Sequence, residues 1–309
     1  MGLFFLCSSP SRAAENIRFA AEYDVHLDER AEQLDVYADQ RTRLGWQRFF
    51  IERQSILTLQ STVDTYEAYQ KFEQIDEQLS NTDHLVFDYR RYDIDRVGLI
   101  LSWHTEYGDV TFEPAILRIK QFDDYWLLAD VSHAEIVTAT GALSSLTNKQ
   151  DPILNFDQDD VGSGFDLGLT WNFQRGSCDY GVSVDALWSS FSIENVRRTE
   201  ADLRYQVDKR QPSLSGRSVV ESYRDKLPVA WLLSAACSNW WATIHNSDIT
   251  NGSVTLGRRW RDLSIGANLN QQSVNVGWSP AKKWSLMLRL APDTQVNEAK
   301  YGFAVVYGQ

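Results

Sequence analysis

The stretch Leu263 to Tyr307 sets the pattern. Leu263, Ile265, Ala267 and Leu269 alternate with Ser264, Gly266, Asn268 and Asn270, and Val274, Val276 and Trp278 alternate with Ser273, Asn275 and Gly277. Trp284, Leu286, Leu288 and Leu290 then alternate with Ser285, Met287 and Arg289, and Tyr301, Phe303, Val305 and Tyr307 with Gly302, Ala304 and Val306. A strand has period two, so each run puts its large apolar residues on one face and its small or polar residues on the other. The runs follow one another through short turns with no helix between them. This predicts an antiparallel up-and-down sheet. An apolar face with aromatic ends, opposite a face of Gly, Ser, Asn and Arg, suits a barrel with lipid outside and water inside.

The same style opens the chain. Ile17, Phe19, Ala21, Tyr23, Val25 and Leu27 alternate with Arg18, Ala20, Glu22, Asp24, His26 and Asp28, and Leu34, Val36 and Ala38 continue it across a turn. Val97, Leu99, Leu101 and Trp103 predict a strand that begins after a turn around Asp93–Asp95. Val110 to Phe122 and Tyr125 to Val131 read as two strands joined by Asp123–Asp124. Phe165 to Phe173, Tyr180 to Trp188, Leu203 to Val207, Val229 to Cys237, Trp240 to His245 and Val254 to Trp260 complete the series. About fourteen strands result, and twelve or sixteen also fit.

Three stretches break the alternation. Tyr66, Tyr69, Phe72, Ile75 and Leu79 recur at helical spacing among Glu67, Lys71, Glu73, Glu77 and Gln78, which predicts one amphipathic helix near residues 65–79 that packs on protein. Ser132 to Asp160 is less regular. Lys209 to Lys226 reads as the longest polar interruption. In single-chain barrels both ends face one side, so Ser279–Lys282 falls on the side of the termini. Residues 291–298, 247–252 and 209–226 fall on the opposite, outer side.

Composition supports the barrel. The 309 residues are 43% hydrophobic, yet no window of about 18 apolar residues exists, so no membrane helix is predicted. Tryptophan gathers near run ends, at Trp103, Trp171, Trp188, Trp240, Trp241, Trp260, Trp278 and Trp284, as interfacial girdles do. The net charge of −12 argues against nucleic acid as a partner. The competing architecture is a soluble periplasmic β-sandwich that binds a ligand, with the tryptophans in its core.

The N-terminus adds a compartment. Gly2 to Cys7 is a short apolar core followed by Ser11-x-Ala13, which resembles the end of a secretory signal over residues 1–13, with a single barrel domain over 14–309. In an oxidising compartment Cys178 and Cys237 can pair, or stand as isolated apolar residues; one sequence does not say whether their strands are neighbours.

The tail Tyr301, Phe303, Val305, Tyr307 resembles the final strand of Gram-negative outer-membrane β-barrel proteins, although here Gly308–Gln309 follow the last aromatic. The resemblance is to the class and covers about residues 16–309 in style. It implies export through the periplasm, outer-membrane lipid as surroundings and the barrel-assembly machinery as a partner during biogenesis. It leaves the oligomeric state open.

Candidate chemistry is sparse. His245-x-Ser247 resembles the pair of outer-membrane phospholipases and lipid A deacylases, where the histidine activates the serine. Here Trp240, Ala242 and Ile244 should hold the lipid face, which turns His245 and Ser247 to the lumen and weighs against catalysis. The five histidines show no metal-ligand spacing, and Asp157, Asp159 and Asp160 fit a solvated loop better than a calcium site. No cofactor is expected. The expected lumen-facing residues are Arg18, Glu22, Asp24, His26, Asn268, Asn275 and Arg289, acidic toward the N-terminus and neutral toward the C-terminus. The function read from this is a pore or structural barrel for small polar solutes. An acyl hydrolase using His245 and Ser247 is the alternative.

Overall fold

A computed structural model of the chain describes residues 17–30, 33–62, 65, 82–133, 137–149, 159–206, 213–248, 252–270, 273–281, 284–291 and 300–307. The expected export segment and the expected helix Tyr66–Leu79 lie outside the described residues. The remainder is a single antiparallel sheet of seventeen strands. Strands that are long, except for the five-residue β5, come first: β1 (Ile17–Arg30), β2 (Gln33–Trp46), β3 (Phe49–Thr62), β4 (Thr82–Leu99), β5 (Leu101–Thr105), β6 (Gly108–His133), β7 (Val137–Thr147), β8 (Gly162–Arg175), β9 (Cys178–Gln206) and β10 (Ser213–Asp225). Short ones follow: β11 (Ala230–Cys237), β12 (Trp240–Ser247), β13 (Ser253–Trp260), β14 (Leu263–Asn268), β15 (Ser273–Ala281), β16 (Trp284–Ala291) and β17 (Lys300–Tyr307).

Neighbour pairing runs β1–β2–β3–β4, then through β6, β8 and β9 to β11, and on in order to β17. The last strand pairs back to the first, with Phe19 opposite Tyr307 and Asp24 opposite Gly302. Tight turns at 47–48, 106–107, 176–177, 238–239 and 261–262 share one end with both termini, because Ile17 stands opposite Trp46 and Trp284 opposite Tyr307. β9 ends and β10 begins at the other end, as do β12 and β13, and β16 and β17.

The alternation is realised with its apolar face outward. Leu286, Leu288 and Leu290 are all more than 40% exposed, and Leu263, which opens its strand, is 40% exposed. Ser264, Asn268, Ser273 and Asn275 beneath them are buried, Asn268 to 2%. A protein in water would bury the leucines and solvate the asparagines, since each large apolar side chain gains roughly 1.5–3 kcal/mol on leaving water. The inversion along whole strands is that of a surface meeting hydrocarbon. Exposed Trp46, Phe49, Trp103, Tyr107, Trp240, Trp260 and Trp278 sit beside the tight turns, at the end that carries the termini, while exposed Trp126, Phe165 and Trp188 lie further along β6, β8 and β9.

The first half departs from the predicted meander. Where two strands joined at Asp123–Asp124 were expected, β6 runs unbroken for 26 residues, and β4 passes straight through Asp93–Asp95. β7 lies inside the stretch that read as irregular, and β10 inside the polar interruption. β9, at 29 residues, pairs with β8 and β11 in its first part and with β7 and β10 in its second. These extensions rise beyond the apolar belt, where water meets the outer face. Charged residues then occupy positions that would otherwise be apolar, and the period-two signal disappears.

Inside the extension lies a dry core of Ile56, Tyr92, Ile94, Leu117, Ile119, Phe122, Phe191, Ile193 and Val196, among others. Phe122 on β6 stacks on Tyr223 of β10 with ring centroids 4.9 Å apart, and Tyr92 meets Phe191 edge-on at 6.3 Å. β6 and β10 are not neighbours in the sheet, so the tall wall folds over and packs on itself. This core holds none of the tryptophans that the competing β-sandwich would place in its interior. At the opposite end Cys178 and Cys237 stand directly opposite each other on β9 and β11 and form a disulfide, with Cα atoms 4.3 Å apart.

Candidate functional site

The buried face of the long strands carries charge, and the charges reach across. Arg96 on β4 donates to Glu52 at 2.7 Å on the neighbouring β3, and to Asp166 at 2.9 Å on β8. Arg43 on β2 makes two hydrogen bonds to Glu113 on β6, at 2.8 and 2.9 Å. Arg41 on β2 reaches Asp185 on β9 at 3.0 Å and lies 3.7 Å from Glu52. Gln54 bridges the set to Asp39 at 3.0 Å. Arg41, Arg43 and Glu52 alternate with residues on the exposed face, so strand period alone puts them on one side. What brings them together is tertiary: β2 and β9 are five places apart along the pairing order.

The network is rigid for identifiable reasons. Arginine offers several donors in a planar fork, so one guanidinium can serve two carboxylates. The Arg43 guanidinium also lies 3.9 Å over the Phe50 ring, which is itself buried against Gly98. A carboxylate in such a place is stable only while paired, because the penalty for an isolated buried charge is several kcal/mol. The network is not balanced. Glu22, Asp39, Glu52, Glu113, Asp166 and Asp185 surround Arg41, Arg43 and Arg96, and Glu22 Oε2 and Asp166 Oδ1 are buried without a hydrogen-bond donor.

The short strands face inward with neutral groups. Ser253, Thr255, Ser264, Asn268, Ser273 and Asn275 are buried, and Arg289 donates to Asn275 Oδ1 at 3.2 Å. Trp241 lies flat on this wall over Gly257 and Gly266, which are cross-strand partners. A Cβ on Gly257 would meet the Trp241 ring at 2.3 Å, so both positions must lack a side chain.

Of the residues expected on the inner face, Asn268 and Asn275 are buried there and Arg289 is partly buried. Glu22 joins the charged network, and Arg18 is exposed near the end that carries the termini. Asp24 and His26 belong to β1, and their side chains lie outside the described residues. His245 and Ser247 are partly buried on the same face of β12 as Trp241, opposite exposed Trp240 and Ile244. Sequence reasoning missed Arg41, Arg43, Glu52, Arg96, Glu113, Asp166 and Asp185. The alternation Arg41, Arg43 against Thr42, Leu44 held a usable signal; the partners, up to 144 residues away, held none. Among the described residues no group of His, Cys, Asp and Glu has the arrangement of a metal centre.

An all-β antiparallel sheet with an exposed apolar belt and a charged interior is the architecture of a membrane β-barrel class. No protein family matches the chain, and no characterised protein matches it in sequence. Solved structures that match include two of one transporter. The crystal structure of the P. putida toluene transporter TodX is 11% identical, with 95% of this chain and 88% of that chain covered and a TM-score of 0.39. The TodX deltaS2S3 mutant, described as a monoaromatic hydrocarbon channel, is also 11% identical, with coverage of 95% and 90% and a TM-score of 0.43.

Proposed function

We propose that the chain is an outer-membrane β-barrel that closes between β1 and β17 and provides a guarded passage for small polar solutes. Counting β4 and β5 as one, the circuit β1, β2, β3, β4/β5, β6, β8, β9 and β11 to β17 has fourteen places. A circular barrel of that size, with strands about 4.8 Å apart and tilted about 40°, is roughly 25–30 Å across. Strands five places apart would then stand roughly 25 Å from each other, beyond the reach of one arginine and one aspartate. The Arg41–Asp185 contact therefore means a flattened bore, constricted where the charges meet. That contact carries the proposal: an outer wall built for lipid encloses an ionic crossing that obstructs the lumen.

Two outcomes follow for the refolded protein in a planar bilayer. The wild type should open rarely, with small conductance, and Arg41→Ser with Asp185→Ser should open more often and conduct more. Because carboxylates outnumber guanidiniums in the lumen, the reversal potential in a salt gradient should show a weak preference for cations. Silence from both proteins would leave only a structural barrel. The inward placement of His245 and Ser247, away from the lipid face, gives the acyl-hydrolase alternative no support.

A further inference from the structure

One cation on the lipid-facing surface stands apart from the rest. Arg258 belongs to β13, between Leu256 and Trp260 on the exposed face. It is the one charged side chain on the exposed faces of β12, β13 and β14. Its register partners there are Trp240 on β12 and Ile265 on β14. The guanidinium lies 5.4 Å from the Trp240 ring centroid and 5.3 Å from that of Trp260. Both distances are within the reach of cation–π attraction, so the two indoles hold the group between them.

Most interior arginines have carboxylates. Arg258 has none among the described residues, and neither the Trp240 nor the Trp260 indole N–H has an acceptor there. By contrast, the Trp171 indole donates to the Tyr107 carbonyl at 3.1 Å. The guanidinium thus sits between two exposed indole rings with no acceptor for it among the described residues.

The spot has a definite depth. Trp260 precedes the turn at 261–262, and Arg258 lies one step of two residues further into the belt, about 7 Å along the strand and less along the membrane normal. Tryptophan bands mark the headgroup level, and the penalty for an arginine facing lipid falls steeply toward that level. What a guanidinium meets there is phosphate, for which its planar fork is matched in geometry and charge.

We propose that Arg258, with Trp240 and Trp260, binds the phosphate of a phospholipid headgroup in the leaflet at the side of the termini. This rests on the reading of the chain as a membrane barrel. The test is native mass spectrometry of the detergent-solubilised, folded protein with added phosphatidylglycerol or phosphatidylethanolamine. Arg258→Gln and Arg258→Lys are compared with the wild type. The wild type should retain one lipid more than Arg258→Gln at equal lipid, with affinity lowered roughly tenfold in that variant. Arg258→Lys should fall between them, because lysine keeps the charge and loses the fork. Inorganic phosphate at millimolar concentration should not displace the lipid. Equal lipid retention by the wild type and Arg258→Gln would overturn the site, and displacement by inorganic phosphate alone would overturn the lipid assignment. Heat-modifiable gel migration of both proteins is scored in parallel. Its loss in the wild type removes the barrel reading itself, whereas its preservation in a variant that binds lipid normally removes only this site.

Discussion

The walls formed by β2–β9 and by β11–β17 obey the same alternation and solve the interior in opposite ways. The first lines its buried face with arginines and carboxylates that meet between non-neighbouring strands; the second lines it with serine, threonine, asparagine and glycine. The difference follows from what each inner face touches. Short polar groups reach no further than their own wall, whereas long charged groups extend to partners on non-neighbouring strands. The same chain therefore exposes an apolar face along both walls and makes its ionic contacts between distant strands in one of them only.

Substitutions can break that contrast. Arg96→Met leaves Glu52 and Asp166 short of a donor in a buried place, so a loss of about 3–5 kcal/mol is expected. Unfolding in urea from lipid vesicles reads it, and a loss no larger than that of a neutral-wall substitution would remove the energetic difference between the halves. Replacing Cys178 and Cys237 by serine opens a link between residues 59 apart and should cost about 2–4 kcal/mol. In the wild type a reducing agent should lower the temperature of heat-modified migration, and in the double variant it should not.

On the neutral wall, Gly266→Ala drives a methyl into the Trp241 ring and should cost about 1–3 kcal/mol. Combining it with Trp241→Leu should recover part of that loss; no recovery would mean that the ring is not what the glycine accommodates. Asn275→Ala removes one acceptor from Arg289, which is partly exposed and can turn to water. About 1 kcal/mol is expected, the smallest effect of the set. A larger one would show the neutral wall to be as tightly coupled as the charged wall.

How much was legible can be followed along single strands. Leu286, Leu288 and Leu290 announced their exposed face, and Ser264, Asn268 and Asn275 their buried one, because a belt of hydrocarbon and a wet interior force period two on the chain. The continuity of β4 through Asp93–Asp95, and β7 and β10 altogether, announced nothing, since outside the belt both faces can be polar. The dry core around Phe122 and Ile193 was hidden for the complementary reason. It is assembled from strands that carry mixed residues, each contributing one or two side chains from a different part of the chain.

The sequence by itself determined the apolar face of the regularly alternating strands, the end that both termini share, and the change from a charged to a neutral inner face toward the C-terminus. These are local properties, set by the alternation of side chains along an extended backbone. Only the tertiary structure decided that Cys178 faces Cys237, that Arg41 crosses to Asp185, and that the tall wall folds onto itself over Phe122. Each of those depends on which distant strands are brought side by side or face to face, and no spacing along the chain encodes that.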